Sequence, residues 1–325
     1  MALISFKKCT VLLSTLLLTT SVFAAKYTLN VSTALATDDP IYKGLVEFKK
    51  NVEQRSNKQL TIRIFPGSQL GSDEDIIEQI KAGAGTALIT DGARLEIYTK
   101  QFGVLNAPYI AKNFAEMRKV VTSPLFNEWS AHLRDNSGFQ VFSFNWYQGA
   151  RHLVTNNPVN VPADLTGVRM RTIGAPQWLE TIRALGATPT PLPWAEVYSA
   201  MQLKAIDAVE AQFPAINSSR LYEVSKYVTK TYHVQLITGL VGSKIWFDKL
   251  PNDLKTILLE ESLKAGDFAS QLTLDSLAQL EKDIAAKGVT INEIDVTPFV
   301  ESTEVIYSKF GYQDLRKEID KIISE

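Results

Sequence analysis

Hydrophobic residues in the first hundred positions recur with two different periods. Residues 27–37 and 60–65 alternate with the period of two that is typical of strands, and residues 87–90 form a short apolar run. The segments that follow Asp39 and Ser72 instead carry apolar residues at helical spacing, after polar residues that can cap a helix. The resulting order β-α-β-α-β predicts a layered α/β domain with a largely parallel sheet.

A second unit with the same rhythm begins near Arg151. Its predicted elements are a strand at 167–173, a helix at 178–185, an extended segment at 188–192, a helix at 194–202 and a buried strand at 205–211. The two units show no detectable sequence repeat. The pattern therefore predicts a second α/β layer that is not a copy of the first.

The segment from Asn252 to Ala286 predicts one long helix, with Gly288 just beyond its end. A helix of about 35 residues is roughly 50 Å long, which is more than one small domain needs. We therefore expect this helix to run across both domains. The alternative is two helices that meet near Gly266.

The first 24 residues have the three parts of an export signal. Lys7 and Lys8 precede an uncharged apolar run at 11–20, and Val22-Phe23-Ala24 presents residues that a signal peptidase accepts. The alternative is an uncleaved membrane anchor, but the apolar run is shorter than the roughly 20 residues that span a bilayer. We expect an exported protein that begins at Ala25.

Composition excludes several kinds of site. The single cysteine, Cys9, lies in the segment expected to be removed, which excludes disulfides, thiolate nucleophiles and Cys-ligated zinc. The three histidines lack the i,i+4 spacing of a helical zinc site, and we expect no metal and no cofactor. A formal net charge of −1 provides no basic field for nucleic acid. Roughly 300 mature residues suffice for two domains.

Two arginines lie on one side of a predicted strand at 168–171. Side chains alternate along a strand, so Arg169 and Arg171 face one way and Val168 and Met170 the other. The carboxyl end of a strand, next to a helix start, is where open α/β sheets bind ligands. A planar guanidinium can hold a carboxylate there through two parallel hydrogen bonds. The alternative is a surface arginine paired with a nearby carboxylate.

Four segments, taken in their order and spacing, carry a resemblance to a known family. They are Phe65 to Glu74 (FPGSQLGSDE), Val161 to Arg171, Leu185 to Tyr198 and Leu221 to Tyr227. With these segments the chain resembles the substrate-binding proteins of tripartite ATP-independent periplasmic (TRAP) transporters, the DctP-like group. The resemblance extends over nearly the whole mature chain.

The resemblance implies a two-domain α/β fold with a ligand cleft between the domains, strands that cross between them and a long helix that spans both. We expect domain I to comprise residues 25–149 and about 237–277, and domain II residues 150–236 and about 278–325, after a signal peptide at 1–24. The expected crossings are near Gly149 and Gln235. Domains joined by so few segments should hinge.

The resemblance also implies roles for charged residues in the cleft. Arg171 corresponds to the arginine that clamps the ligand carboxylate, Arg151 matches a second cationic contact, and Glu74 and Asp91 fall where domain I lines the cleft. Each of the last three has an alternative. Arg151 could form an interdomain ion pair, Glu74 could cap its helix, and Asp91 could stabilise a turn.

The chain departs from the family pattern after Glu210. Many members have Asn-Pro at this point, whereas this chain has Ala-Gln-Phe, so an amide contact is lost or moves to Gln212. The aromatic residues Trp194, Tyr147 and Phe213 are further candidates for the walls of the pocket. Trp194 could equally fill the core, and Tyr147 could cover the hinge.

These features predict a periplasmic solute-binding protein that captures an organic acid and delivers it to the small and large membrane subunits of a TRAP permease. We expect a monomer that is not an enzyme. One alternative is a receptor for a sensor or an ABC importer, and another is a carbohydrate-active hydrolase that uses Glu74 and Glu210. C4-dicarboxylates, sugar acids, 2-oxo acids and aromatic acids all stay open as ligands.

Overall fold

The computed structural model of the protein describes residues 26–325, so the predicted signal at 1–24 lies outside the described residues. The strands are β1 (Tyr27–Ser32), β2 (Leu60–Phe65), β3 (Thr86–Asp91), β4 (Phe139–Ala150), β5 (His152–Thr155), β6 (Arg169–Thr172), β7 (Thr188–Pro191), β8 (Ala208–Ala211), β9 (Tyr227–Lys230), β10 (Gln235–Ser243) and β11 (Thr290–Glu293).

The α-helices are α1 (Pro40–Arg55), α2 (Asp73–Lys81), α3 (Gly92–Leu95), α4 (Lys100–Gly103), α5 (Phe114–Val121), α6 (Pro124–Ser137), α7 (Pro176–Ala184), α8 (Val197–Gln202), α9 (Phe213–Ser218), α10 (Lys244–Asp248), α11 (Asn252–Ala286), α12 (Thr297–Thr303), α13 (Val305–Phe310) and α14 (Gln313–Ser324). Within residues 26–325, none of the helices combines the length and the apolar character needed to cross a membrane.

The sheet of domain I has five strands in the order β2-β1-β3-β10-β4. Strand β1 pairs in parallel with β2 and with β3, as the pattern over residues 27–91 predicts. Strand β10 enters this sheet after the chain returns from the other domain, and it pairs antiparallel with β3 and β4. The predicted β-α-β-α-β unit is confirmed, within a sheet that is mixed.

The sheet of domain II has six strands in the order β11-β9-β5-β8-β6-β7. The second α/β layer is confirmed, with two changes of detail. The helix predicted at 194–202 begins with a 3₁₀ turn, and α8 itself starts at Val197. The strand predicted at 205–211 starts only at Ala208, because Lys204 has a left-handed backbone (φ 58°) that turns the chain before it.

Helix α11 is continuous over 35 residues, so the long helix is confirmed and the break near Gly266 is wrong. Gly266 allows a close approach instead, since a Cβ at this position would lie 2.3 Å from Oδ1 of Asn145 on β4. Helix α11 packs against α1 and β4 of domain I and against α9 and β11 of domain II. It therefore spans both domains.

Two neighbouring segments between strands connect the domains, in addition to α11 and the C-terminal segment. One is Arg151, between β4 and β5, and the other is residues 231–234, between β9 and β10. The backbone N–H of Arg151 donates to the carbonyl of Val234 over 2.8 Å, so the two crossings are tied together. Gly149, beside the first crossing, has a φ of +110°, a conformation that glycine adopts without strain. The expected crossings near Gly149 and Gln235 lie next to these segments.

The C-terminal segment contributes to both domains. Phe299 of α12 packs in a core cluster of domain II. Tyr307, Tyr312 and Ile319 instead pack in a core cluster of domain I, where α14 contacts α5. The expectation that residues 278–325 lie in domain II is therefore wrong for the last helices, because their apolar faces cover domain I. The other domain boundaries stay predictions.

Candidate functional site

A pocket lies between the two domains, and we call it the inner cavity. The predicted site residues in its lining are Asp91, Arg151, Arg171, Trp194 and Gln212. Sequence reasoning missed other polar residues of the lining, which are Thr33, Asp73, Thr90, Arg94, Gln148 and Thr238. The two domains and the crossing strands thus all contribute to one polar cavity.

Arg171 brings a buried cation to the inner cavity. It is 2% exposed, and its Nε donates to the carbonyl of Leu192 over 2.9 Å. Its guanidinium carbon lies 5.1 Å from the centre of the Trp194 ring. Burial lowers the pKa of Arg171 to about 9, so the group stays charged at neutral pH although it is poorly solvated.

The terminal nitrogens of Arg171 have no hydrogen-bond partner within residues 26–325, and the side chain forms no salt bridge there. A charge removed from water without a partner is costly, and an anion at this position would offset the cost. The geometry of the fork suits a carboxylate. The inner cavity therefore contains a ready position for an acid group.

Local packing explains why only one of the two strand arginines reaches the cavity. Met170 is fully buried in the core, and the arginines lie on the other side of β6. Arg169 is the first residue of the strand and forms a bidentate pair with Asp207, with both distances at 2.8 Å. Arg169 thus forms a surface ion pair, which was the alternative interpretation for these arginines. Arg171 lies two residues further along β6 and reaches the cavity.

Arg151 is already neutralised by an internal partner. Its Nε donates to a carboxylate oxygen of Glu210, and its Nη2 donates to the carbonyl of the same residue. Both side chains are buried, and β5, which follows Arg151, is the neighbour of β8, which carries Glu210. Burial alone would raise the pKa of Glu210, but Arg151 and His233 hold that pKa below its usual range. Arg151 therefore forms an ion pair, as its alternative role predicts, but this pair lies within domain II rather than between the domains.

Gln212 is oriented by a chain of hydrogen bonds. Its Oε1 accepts from Nη1 of Arg151 over 3.2 Å, and its Nε2 donates to Oε1 of Gln148 over 2.7 Å. Nε2 of Gln148 then donates to the hydroxyl of Thr238 over 3.2 Å. Gln148 lies on β4, which leads into the first crossing, and Thr238 lies on β10, which follows the second. The amide wall of the cavity is therefore connected to the hinge.

The wall contributed by domain I is built around Arg94. Its Nη1 donates to Asp91, its Nη2 lies 3.1 Å from Asp73, and its Nε lies 3.2 Å from Glu74. Burial alone would lower the pKa of Arg94, but the three carboxylates raise that pKa above its usual value. Burial also raises the pKa of Asp73. One guanidinium thus holds several carboxylates, and this wall presents hydrogen-bond acceptors to the cavity.

Asp91 also caps the short helix α3. It therefore stabilises a local turn, which was its alternative role, and it lines the cavity as well. Its Oδ1 accepts from the backbone N–H groups of Ala93 and Arg94 over 3.1 and 3.2 Å. A capping Asp with an Arg three residues later, directly after a buried strand, is the sequence signal that could have identified Arg94.

Three predicted site residues do not line the inner cavity. The side chain of Glu74 is 57% exposed and lies outside it, bonded to Arg94. Tyr147 stacks on Phe114, and its hydroxyl donates to Gln235 over 2.6 Å. It therefore covers the hinge, which was the alternative to a place in the pocket wall. Phe213 begins α9 and packs against His152, with the ring centres 5.0 Å apart, in a core cluster of domain II.

Direct contacts already join the domains beside the cavity. The indole nitrogen of Trp178, on α7 of domain II, donates to Oδ1 of Asp91 in domain I over 3.1 Å. Nε2 of Gln177 donates to the carbonyl of Asn106 over 2.7 Å. An apolar cluster that includes Ala93, Trp178 and Leu236 surrounds these bonds. The structure therefore shows the domains in contact with each other.

Comparison with known proteins gives a consistent picture. The chain matches the model of the DctP family, described as bacterial extracellular solute-binding protein family 7, over residues 31–314. It is 27% identical to the sialic acid-binding periplasmic protein SiaP of Vibrio cholerae over 310 residues, which cover 94% of this chain and 95% of that protein.

Two solved structures are similar in fold. An apo, open TRAP periplasmic solute-binding protein from Escherichia fergusonii is 43% identical, with 91% of this chain and 99% of that chain covered and a TM-score of 0.79. A TRAP solute-binding protein from Actinobacillus succinogenes with bound L-galactonate is 28% identical over the same shares, with a TM-score of 0.88. The overall shape thus matches the ligand-bound relative more closely, although its sequence is less similar.

Proposed function

This chain belongs to bacterial extracellular solute-binding protein family 7, the DctP family, and we propose that it captures a hydroxylated organic acid in the periplasm for delivery to a TRAP transporter. Family members are binding proteins, and we propose that this chain likewise binds its ligand without converting it. The proposed periplasmic location agrees with its relatives, which are named as periplasmic binding proteins.

The observation that carries this proposal is the buried guanidinium of Arg171, whose terminal nitrogens are free within residues 26–325. We propose that the carboxylate of the ligand binds here, with the ring of Trp194 against the guanidinium. Arg151 plays a smaller part, because Glu210 already neutralises it. Its remaining role is to orient Gln212 toward the ligand.

The charges around the cavity favour an acid with one carboxylate. Arg94 and Arg151 are already paired with carboxylates, so Arg171 is the unpaired cation of the lining within residues 26–325. A second carboxylate would meet the acceptors of domain I, which repel it. Hydroxyl groups can donate to those acceptors and to the amides of Gln148 and Gln212. This supports a sugar acid, in agreement with a relative that binds L-galactonate and another named for sialic acid.

The hydrolase alternative loses its carboxylate pair. Glu210 is buried and engaged by Arg151, whereas Glu74 lies outside the inner cavity. These two acids do not face one bond of a common substrate, as glycoside hydrolysis requires. Delivery to a sensor or to an ABC importer is disfavoured by the family. We therefore propose the small and large membrane subunits of a TRAP permease as partners, with this chain as a monomer.

A thermal-shift screen of carboxylic acids, followed by calorimetry of the hits, tests the proposal. A bound acid raises the melting temperature by mass action, and we expect the largest shifts from aldonates and uronates such as L-galactonate and D-glucuronate. Methyl esters of the same acids should give no shift, because they leave Arg171 without an anion. If no acid stabilises the protein, or if esters and acids bind equally, the proposal is wrong.

The export signal is a separate part of the proposal. We propose that cleavage after Ala24 releases a chain that starts at Ala25. The intact mass of the protein from a periplasmic extract would show this directly. A mass that includes residues 1–24, in a membrane fraction, would contradict it.

A further inference from the structure

A second space adjoins the inner cavity at the mouth of the cleft, and we call it the outer chamber. It holds about 1000 Å³, part of which is open to solvent. Arg94 and Ile173 line both spaces. The remaining walls come from α2 and residues 97–98 of domain I and from residues 174–176 and 191–193 of domain II. The two spaces are therefore adjacent, with Arg94 and Ile173 at their common boundary.

The walls of the outer chamber are mainly apolar. They include the apolar side chains Ile77, Ile97, Tyr98, Ile173, Pro176, Pro191 and Pro193. The proline rings are fixed to the backbone and cannot turn inward to fill the space. Ile97 is 66% exposed, so an apolar group in the chamber would remove its side chain from water. The chamber therefore suits an apolar occupant better than a polar one.

The outer chamber is present while the two domains are in contact, so it is not the gap of an open cleft. The interdomain bonds from Trp178 to Asp91 and from Gln177 to Asn106 are already formed, so further closure would compress these contacts. The overall shape also matches the galactonate-bound relative better than the open one, with TM-scores of 0.88 and 0.79. The space would therefore stay open when an acid occupies the inner cavity.

Charge limits what can occupy the outer chamber. Glu74 and Glu78 have side chains that are 57% and 67% exposed at its rim. Arg94 is the cation in its lining, and it is engaged by carboxylates on each of its nitrogens. A second anionic group would meet net repulsion here, whereas an uncharged group would not.

We propose that the ligand is a monocarboxylic acid with an uncharged, mainly apolar substituent of about the size of a phenyl ring. The acid end binds at Arg171 in the inner cavity, and the substituent lies in the outer chamber. The inference rests on the proposed function, since it extends the ligand class of the same cleft. An apolar substituent is what distinguishes this ligand from a plain sugar acid.

Gly174 offers a way to close the outer chamber without touching the inner cavity. It lines the chamber, and a Cβ built on it would have Pro191 as its nearest neighbour, at 3.9 Å. Gly174→Leu should therefore be tolerated by the backbone and should fill part of the chamber. Gly174→Ala is the matched control, because its methyl group leaves most of the space free.

Calorimetry on three matched pairs of acids tests the proposal. The pairs are D-glucuronate with phenyl β-D-glucuronide, L-lactate with L-3-phenyllactate, and 2-oxobutyrate with 2-oxo-4-phenylbutyrate. We expect the phenyl member of at least one pair to bind about tenfold tighter or more, because the ring is removed from water. Gly174→Leu should abolish this gain, Gly174→Ala should preserve it, and neither should change the binding of the unextended acid.

The proposal is overturned if no phenyl member binds more tightly than its partner in any pair. It is also overturned if the gain survives in Gly174→Leu, because the ring would then lie elsewhere. Failure of the proposed function would look different, since the wider screen would then contain no acid that stabilises the protein. Tight binding of plain acids with no gain from the ring would retain the function and reject the outer chamber as a ligand site.

Discussion

The indole N–H of Trp178 donates to Oδ1 of Asp91 over 3.1 Å, and this bond joins domain II to the acidic wall of domain I. The same Asp91 oxygen accepts from the backbone of α3, and the carboxylate also engages Arg94. The wall that faces the ligand and the contact that holds the domains together therefore depend on one carboxylate. Ligand that contacts both walls would favour the closed state through these groups.

Trp178→Phe should weaken closure while keeping the fold. The ring is retained, but Asp91 loses one hydrogen bond, worth about 1 kcal/mol. We expect acid affinity by calorimetry to fall about fivefold and the radius of gyration without ligand, by small-angle scattering, to rise. Trp129→Phe, at a buried tryptophan on α6, is the control and should change neither quantity. Unchanged affinity in Trp178→Phe would show that the bond does not contribute to closure.

Arg171→Lys should greatly weaken acid binding and leave the fold intact. Lysine keeps the charge but loses the planar fork, so one of two parallel hydrogen bonds to the carboxylate is lost. Because the site is desolvated, we expect affinity by calorimetry to fall about 100-fold or more. Arg169→Lys is a close control, since Arg169 lies on the same strand but pairs with Asp207 at the surface. Equal dissociation constants for Arg171→Lys and the native protein would refute the clamp.

Glu210→Gln should destabilise the protein, because it leaves Arg151 buried without an anion. Removing one partner of a buried ion pair costs about 3–5 kcal/mol in the free energy of unfolding, which denaturant titration can measure. Asp207→Asn removes the partner of the exposed Arg169 and should cost less than about 1 kcal/mol. Similar losses in the two variants would show that burial does not distinguish the two pairs.

Asp39 makes stability depend on pH. It is buried, and its Oδ1 accepts from the N–H of Ile41 at the start of α1. Burial raises its pKa to about 7, whereas an unfolded aspartate has a pKa of about 3.9. Between these values the native state binds more protons than the unfolded state, so this group lowers stability as pH rises from about 4 to 7.

Asp39→Asn keeps the capping oxygen and removes the ionisation. We expect its melting temperature to equal that of the native protein near pH 4 and to exceed it by a few degrees at pH 8. Asp164→Asn is the control, because the backbone N–H groups of Asn160 and Val161 lower the pKa of Asp164, and no gain at pH 8 is expected. A variant no more stable than the native protein at pH 8 would contradict the burial argument.

The sequence predicted the position of Arg171 because two local rules coincide there, strand alternation and the end of a strand before a helix. It did not predict Arg94 or Asp73, which reach the cavity from separate helices through tertiary placement. A strand pattern predicts that side chains alternate between two faces of a sheet, but it does not show which face another helix covers. For this reason the sequence favours the pocket and the hinge equally for Tyr147. In the structure, Phe114 of α5 covers it. The long helix was predictable because its apolar spacing continues past Gly266, whose role depends on a contact with Asn145.

The return of the C-terminal helices to domain I has a consequence for synthesis. Tyr307, Tyr312 and Ile319 belong to the same core cluster as residues of α2 and β3, more than 200 positions earlier. Domain I therefore cannot complete its core until residues 307–319 have been translated. We expect a nascent chain that still lacks these residues to expose their apolar counterparts, which would delay compaction and leave the chain accessible to chaperones.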